Sequence, residues 1–339
     1  CLDQLGVVGP ITKWASRAYT ARRVPDLVGL AIRHATGGVP GPVVLDIPID
    51  VAFTPVKPER VPAFGRPEAG ERPVPSAEAI AAAVRLLNAA ERPALIVGDS
   101  SMSVDIADAL ERFVAATGFP VFSTTLSRGS LPGSHPLYGG TLSSLGGLGA
   151  IGVEPPDVVL LVGASFGLLL GGRGFAKLAG GAKVIQMHLD PAEIGRLGGV
   201  DVGVLGDLAA GLDAIRQQLT GRDVTGWAAK AVAMKRFADM LFEGAGMEND
   251  GLHPYRAAKE IAGQIPPGSI LIRDGGEAAI WIDWATTHLD LGGVLALGYQ
   301  GHLGVGQGFA VGAQRAHPDR RVIQVTGDGA IGFHLQEWD

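Results

Sequence analysis

Short runs of β-branched and aliphatic residues recur along this chain, and most of them stop at a glycine or an acid. Ala94 to Val97 stops at Gly98, Val158 to Val162 at Gly163, Val184 to Leu189 at Asp190, Ile270 to Arg273 at Asp274-Gly275, and Val322 to Val325 just before Gly327-Asp328-Gly329. Runs that are apolar at nearly every position suit strands buried on both faces, which is the condition of a parallel sheet covered by helices. Helical periodicity between them completes an α/β pattern, with helices on both faces of each sheet and more than one domain. Glycine, at 51 of 339 residues, is about twice as common as usual, which fits many tight strand-to-helix turns.

Composition removes several classes of function. The net charge of −6 with no basic stripe argues against a nucleic-acid partner. The longest apolar run, Val158 to Leu170, is broken by Gly163, Ser165 and Gly167 and reads as a strand and a loop, so no membrane partner is expected. A single cysteine, Cys1, cannot form an internal disulfide, which fits a reducing, cytoplasmic setting. The chain also starts at Cys1 without an initiator Met, so a fragment is expected.

In chain order, Pro25 opens a helix with Val28, Ile32 and Ala35 on one face, and Val43 to Ile47 follows as a strand containing Asp46. Pro55, Pro58, Pro62, Pro67, Pro73 and Pro75 mark a linker. Ser76 can cap a helix carrying Ile80, Val84 and Leu87. That helix starts a domain whose ligand-binding edge would hold Gly98-Asp99, Gly163-Ala164-Ser165 and Asp190. A connection containing Trp227 and Met234 leads to a further domain from His253. The boundaries are 1–54, a linker at 55–75, 76–212, a connection at 213–252, and 253–339. Gly304, Gly308 and Gly312 fall four apart, which predicts a helix face open to close packing. Gly306-Gln307-Gly308 is a poor dinucleotide fingerprint, because the next glycine is one residue late.

The sharpest chemical signal is Gly327-Asp328-Gly329. An aspartate at the carboxyl end of a parallel strand, flanked by glycines, offers a hard oxygen ligand where the backbone can come close to phosphates. This suits a divalent cation carrying a phosphorylated cofactor.

Six segments occur in series: Pro10 to Trp14, Gly41 to Pro48, Gly129 to Tyr138, Asp190 to Gly195, Gly298 to Gly306 and Gly327 to Asp339. Together they resemble the thiamine-diphosphate-dependent acetolactate synthase superfamily. Within it the chain looks most similar to benzaldehyde lyase, and more distantly to oxalyl-CoA decarboxylase and 2-hydroxyacyl-CoA lyase. The resemblance implies the end of a pyrimidine-binding domain at 1–54, a Rossmann-like central domain at 76–212 and the first half of a diphosphate-binding domain at 253–339.

It also implies thiamine diphosphate and Mg²⁺ as cofactors, with Asp328 as the metal ligand and Gly327, Gly329 and Ala330 around the diphosphate. Leu303 would support the bent cofactor, Gly301 would accept from its amino group, and His302 lies between them. Gly276, Glu277 and Ala278 would line it. No catalytic residue is assigned, because the family's activating glutamate would lie upstream of Cys1. Arg128 and the central glycine loops could hold FAD or ADP, although an empty central domain is favoured, as in benzaldehyde lyase. Where that enzyme has an active-site tyrosine and histidine, this chain has Ala279 and Leu297, and Ile49 replaces a larger aromatic.

The implied activity is a carbon–carbon lyase or carboligase (transferase) reaction on a small carbonyl substrate, a 2-hydroxy ketone or 2-oxo acid, in a homodimer or homotetramer. Acetolactate synthase is the rival enzyme, beside the two acyl-CoA enzymes. An inactive fragment or a nucleotide-binding scaffold is the rival of another class.

Overall fold

A computed structural model describes residues 2–61, 72–103, 106–167, 170, 181–221, 223–242 and 252–338. The chain divides into two compact units, Cys1–Val74 and Pro75–Asp339. The middle of the proline-rich linker, 62–71, lies outside the described residues, and a short 3-10 turn occupies Pro58–Arg60 before it.

In the first unit two parallel strands, β1 (Trp14–Arg17) and β2 (Val43–Asp46), flank the helix Val24–Thr36. Arg17 Nε donates to Asp46 at 2.6 Å across the pair, and Trp14 stacks on His34 of the helix at 5.3 Å. The helix forms where Pro25 predicts it, but its buried face is different. Gly29 and Ala31 are buried, whereas Val28 and Ile32 are exposed. Among the described residues this helix has only a two-stranded sheet to pack on, and that covers a narrow strip of small side chains.

The second unit holds two parallel sheets. The larger contains β3 (Pro93–Val97), β4 (Val121–Ser123), β5 (Tyr138–Thr141), β6 (Val158–Val162), β7 (Lys183–His188) and β8 (Val202–Leu205), in spatial order β5-β4-β3-β6-β7-β8. β3 and β6 are buried at every residue, as the continuous apolar runs require. Ala94, Ile96, Phe122, Val159 and Leu161 form a core on one face with Leu142, Leu145 and Met234. Helices Ala77–Ala89, Ala107–Thr117 and Leu208–Gln218 pack together on the other. Burying a side chain the size of Phe122 or Leu160 contributes about 1.5–3 kcal/mol, so this sheet is the stable body of the unit. Ser76 caps its first helix as expected, its hydroxyl accepting from Ala79 N at 3.2 Å. β5 has no counterpart in the sequence reading, because its residues, Tyr-Gly-Gly-Thr, carry neither a β-branched run nor an alternation.

The smaller sheet contains β9 (Ile270–Asp274), β10 (Gly293–Ala296) and β11 (Val322–Thr326), all parallel, in the order β10-β9-β11. Helices Pro254–Ala262 and Glu277–Ala285 cover one face, through Tyr255, Ala258, Ile282 and Leu271. Helix Gly306–Ala316 covers the other, through Ala313 against Ile270 and Ile272. The chain leaves β9 for one neighbour and returns from β10 to the other, so a topological switch lies at the carboxyl end of β9.

Two expectations are corrected here. β11 is half-buried and not a buried strand, since it is an outer strand of this sheet among the described residues. Gly308 and Gly312 face open space, and Gly304 lies before the helix, so the three do not form a packing face. Close approach occurs at Gly304 and Gly306 instead. No described helix is long and apolar enough to cross a membrane.

Candidate cofactor site

At the carboxyl end of the smaller sheet, three turns converge. The first follows β9, where Asp274 is fully buried and Gly275 adopts φ +98°. A Cβ on Gly275 would lie 3.0 Å from Gly327 N, so this turn runs directly beside the one that follows β11. The second turn, before helix Gly306–Ala316, contains Gly301 and Gly304 with φ of +69° and +85°. Gly301 N donates to Gly298 O at 3.0 Å and closes a turn that leaves Gly301, His302 and Leu303 exposed. The third is Gly327-Asp328-Gly329-Ala330, where Gly327 caps a one-turn helix, Asp328–Ile331.

Side-chain and backbone contacts connect the second turn to the third. A Cβ on Gly304 would lie 2.5 Å from Phe333 Cβ and 3.2 Å from Ala330 O, and Gln307 Nε2 donates to Ile331 O at 3.1 Å. The residues named from sequence therefore occur on turns that are neighbours in space. Gly276 and Glu277 are exposed, and Glu277 accepts from Trp281 Nε1 on its own helix at 3.1 Å. Ala278 is half-buried and Ala330 is buried.

Nothing stands within 4 Å of the position a Cβ would take at Gly276, Gly301, Gly327 or Gly329. The three turns thus present bare backbone to open space, as a cofactor cradle needs. Asp328 is exposed, and no group of three or more His, Cys, Asp or Glu that could hold a metal occurs among the described residues. One hard carboxylate with no protein cage around it suits Mg²⁺, which takes most of its octahedron from waters and phosphate oxygens. The residues present fit a magnesium-bound diphosphate.

Asp274 was not singled out by the sequence reading. Its Oδ1 accepts from Gly275 N at 2.7 Å and Gly304 N at 3.1 Å, its Oδ2 accepts from Gly306 N at 2.8 Å, and its carbonyl accepts from Gly327 N at 3.3 Å. The available signal was an acid closing a buried strand before two glycines.

The edge of the larger sheet is built differently. Arg128, a possible nucleotide ligand by sequence, is 3% exposed and buried in an ion pair with Asp283 at 2.7 Å, with further bonds to Thr286 Oγ1 and O. Its guanidinium joins the two sheets' domains, and it is not available at the edge. Asp99 accepts from Thr124 Oγ1. His188 Nε2 meets Ser100 Oγ at 2.9 Å, and its Nδ1 accepts from Asp190 N at 2.9 Å. With Nδ1 accepting that backbone bond, neutral His188 carries its proton on Nε2 and donates to Ser100. Burial lowers the His188 pKa.

Comparison with known proteins covers both sheets of the second unit. Residues 80–215 match the central domain of thiamine pyrophosphate enzymes, and residues 274–339 match their C-terminal TPP-binding domain. The large subunit of acetolactate synthase from Corynebacterium glutamicum is 30% identical over 99% of this chain, which covers 54% of that protein. The isozyme 2 large subunit of Escherichia coli is 29% identical over 99% of the chain, covering 60% of it. The large subunit from Parasynechococcus marenigrum is 31% identical, again over 99% of the chain and 54% of its own length. The chain thus spans between about half and three-fifths of the length of these relatives. With both domain matches, and with these relatives aligning over 99% of its length, the chain belongs to the superfamily of thiamine-diphosphate-dependent enzymes, whose cofactors are thiamine diphosphate and Mg²⁺.

Proposed function

We propose that the protein makes or breaks a carbon–carbon bond beside a carbonyl, and that its reaction is condensation of 2-oxo acids of the acetolactate synthase type. The observation that carries this reading is the bare-backbone cradle formed by the turns at 275–278, 301–304 and 327–330 beside the exposed Asp328. Asp328 would give one carboxylate oxygen to Mg²⁺, and the backbone from Gly327 to Ala330 would wrap the diphosphate. Gly301 would present its carbonyl to the cofactor's amino group, and Leu303, 40% exposed, would support the cofactor from below with an apolar surface. Gly276, Glu277 and Ala278 would line the first turn, and His302 would sit between the two contacts. When bound, the cofactor supplies a carbon nucleophile and an electron sink. The chain's residues hold its shape and its metal.

The acetolactate synthase relatives along almost the whole chain support this substrate class. Cleavage of 2-hydroxy ketones, the benzaldehyde lyase reaction, is the second reading. It draws less support, since Ala279 is 3% exposed within its helix and offers no proton-transferring group to the cleft. In this reading residues 1–54 end a pyrimidine-binding domain, 76–212 are the central domain, and 253–339 begin the diphosphate-binding domain. The working protein is a homodimer or homotetramer with active sites between subunits.

The test uses full-length protein with thiamine diphosphate and Mg²⁺, following acetolactate formed from pyruvate and benzaldehyde released from benzoin. Acetolactate without benzaldehyde is the expected outcome. Benzaldehyde alone would select the lyase reading, and failure to bind thiamine diphosphate would remove both.

A further inference from the structure

Asp274 has no ordinary partner for a buried charge. It is fully buried, and no Lys, Arg or His among the described residues forms an ion pair with it. A carboxylate in such a place costs several kcal/mol unless hydrogen bonds satisfy it. Here they come only from backbone N–H groups, and those groups belong to separate turns. Oδ1 bridges Gly275 and Gly304, Oδ2 takes Gly306, and the main-chain carbonyl takes Gly327. The approach is close enough that a Cβ on Gly306 would lie 3.0 Å from Oδ2.

We infer that Asp274 is a positioning residue of the cofactor site, the side chain that fastens the turn at 301–306 to the turn at 275–278, while its main-chain carbonyl holds the turn at 327–330. This inference rests on the proposed function only for the identity of the ligand. A local role, closing the turn after β9, would need the Gly275 bond alone. The bonds to Gly304 and Gly306, 30 and 32 residues away, have no part in that turn. They fix the backbone on either side of Val305, at the start of the helix that follows Leu303. Loss of the carboxylate therefore frees Gly301 and Leu303, while Asp328 keeps its own side chain and exposure.

The experiment compares full-length wild type with D274N, D274A and, as a control at the opposite end of the same strand, S269A. Ser269 is buried and its hydroxyl donates to Pro266 O at 2.7 Å, far from the cradle in the fold. Thiamine diphosphate binding is measured by calorimetry at saturating Mg²⁺, and backbone hydrogen exchange is measured without cofactor.

The expected result is a cofactor Kd raised about 10- to 100-fold in D274N, the range seen when a group that orients a ligand is removed. S269A should bind as wild type does. Exchange in D274N should rise at 301–306 and stay protected within β9 to β11. If D274A does not fold, D274N, which keeps the shape and one acceptor oxygen, carries the test. Wild-type affinity in D274N, or exchange that rises evenly across the sheet as simple destabilisation would make it, overturns the inference. Wild-type protein that binds no thiamine diphosphate would overturn the proposed function instead, and the cofactor-free exchange would still decide whether Asp274 holds the turns.

Discussion

Replacing Asp283 with Asn offers the most direct test of how the two larger domains of this chain are joined. Arg128 and Asp283 are 3% and 8% exposed at their side chains, and their ion pair of 2.7 Å is buried. Arg273 also reaches Asp283, at 3.7 Å, and its Nε has no hydrogen-bond partner. Asp283 thus serves two guanidinium groups. Removing one partner of a buried pair costs roughly 3–5 kcal/mol, because the surviving charge stays desolvated. D283N leaves two surviving charges of the same sign, so its cost should lie toward the upper end, about 4–5 kcal/mol. R128M leaves Asp283 with Arg273 and should cost less, about 3 kcal/mol.

The pair R128M/D283L replaces the ion pair with apolar groups and should be more stable than D283L alone, which requires an interaction energy between the sites larger than the roughly 3 kcal/mol that R128M costs by itself. Urea denaturation followed by tryptophan fluorescence reads this locally, since Trp281 and Trp284 lie on either side of Asp283 on its helix, with ring centroids 5.6 Å apart. A D283N midpoint equivalent to less than about 0.5 kcal/mol of destabilisation, the range for surface changes, would show that water reaches the pair. Strict additivity in the double variant would show that the two side chains are not coupled.

Three further outcomes follow from the geometry. D328A should weaken Mg²⁺-dependent binding of thiamine diphosphate by on the order of 100-fold or more, with the melting temperature unchanged because Asp328 is exposed; unaltered binding by calorimetry would remove it as the ligand. G304A should cost about 2–3 kcal/mol, because φ is +85° and the new methyl group would meet Phe333 Cβ at 2.5 Å. G308A, on an open helix face, should instead stabilise by about 0.5–1 kcal/mol, and a denaturation series that ranks the two alike would contradict both accounts. His188 is held neutral by burial, below its ordinary pKa of 6.5. The unfolded chain therefore binds the proton first, so this group has no effect on stability above pH 6.5 and lowers it as pH falls below that value. Subtracting the H188Q stability curve from that of wild type should show this slope, and a flat difference between pH 7 and 5 would refute it.

Much of the architecture was legible in the order of residues. Apolar runs at Ala94 to Val97 and Val158 to Val162 must be buried on both faces, so they announce a parallel sheet before any contact is known. Ser76 ahead of an amphipathic segment, and glycines around Asp328, are local signals, since capping and close backbone approach depend on only a few neighbouring residues. The glycine turns at 275–276, 301–304 and 327–329 were legible for the same reason. Side-chain burial on the helix Val24–Thr36 was not, because periodicity identifies an apolar stripe without saying how wide a surface stands ready to cover it.

The pairings that organise the site arise from long separations. Asp274 reaches Gly304 and Gly306 across 30 and 32 residues, and Arg128 reaches Asp283 across 155. A lone aspartate before two glycines, or an arginine after a strand, looks the same in sequence whether it binds a ligand, closes a turn or holds a domain. Sequence alone set most of the strands, their parallel arrangement and the glycine turns at their ends. Only the tertiary structure decided which charges those turns and domains are fastened by, because a buried charge takes its role from the donors that folding brings to it.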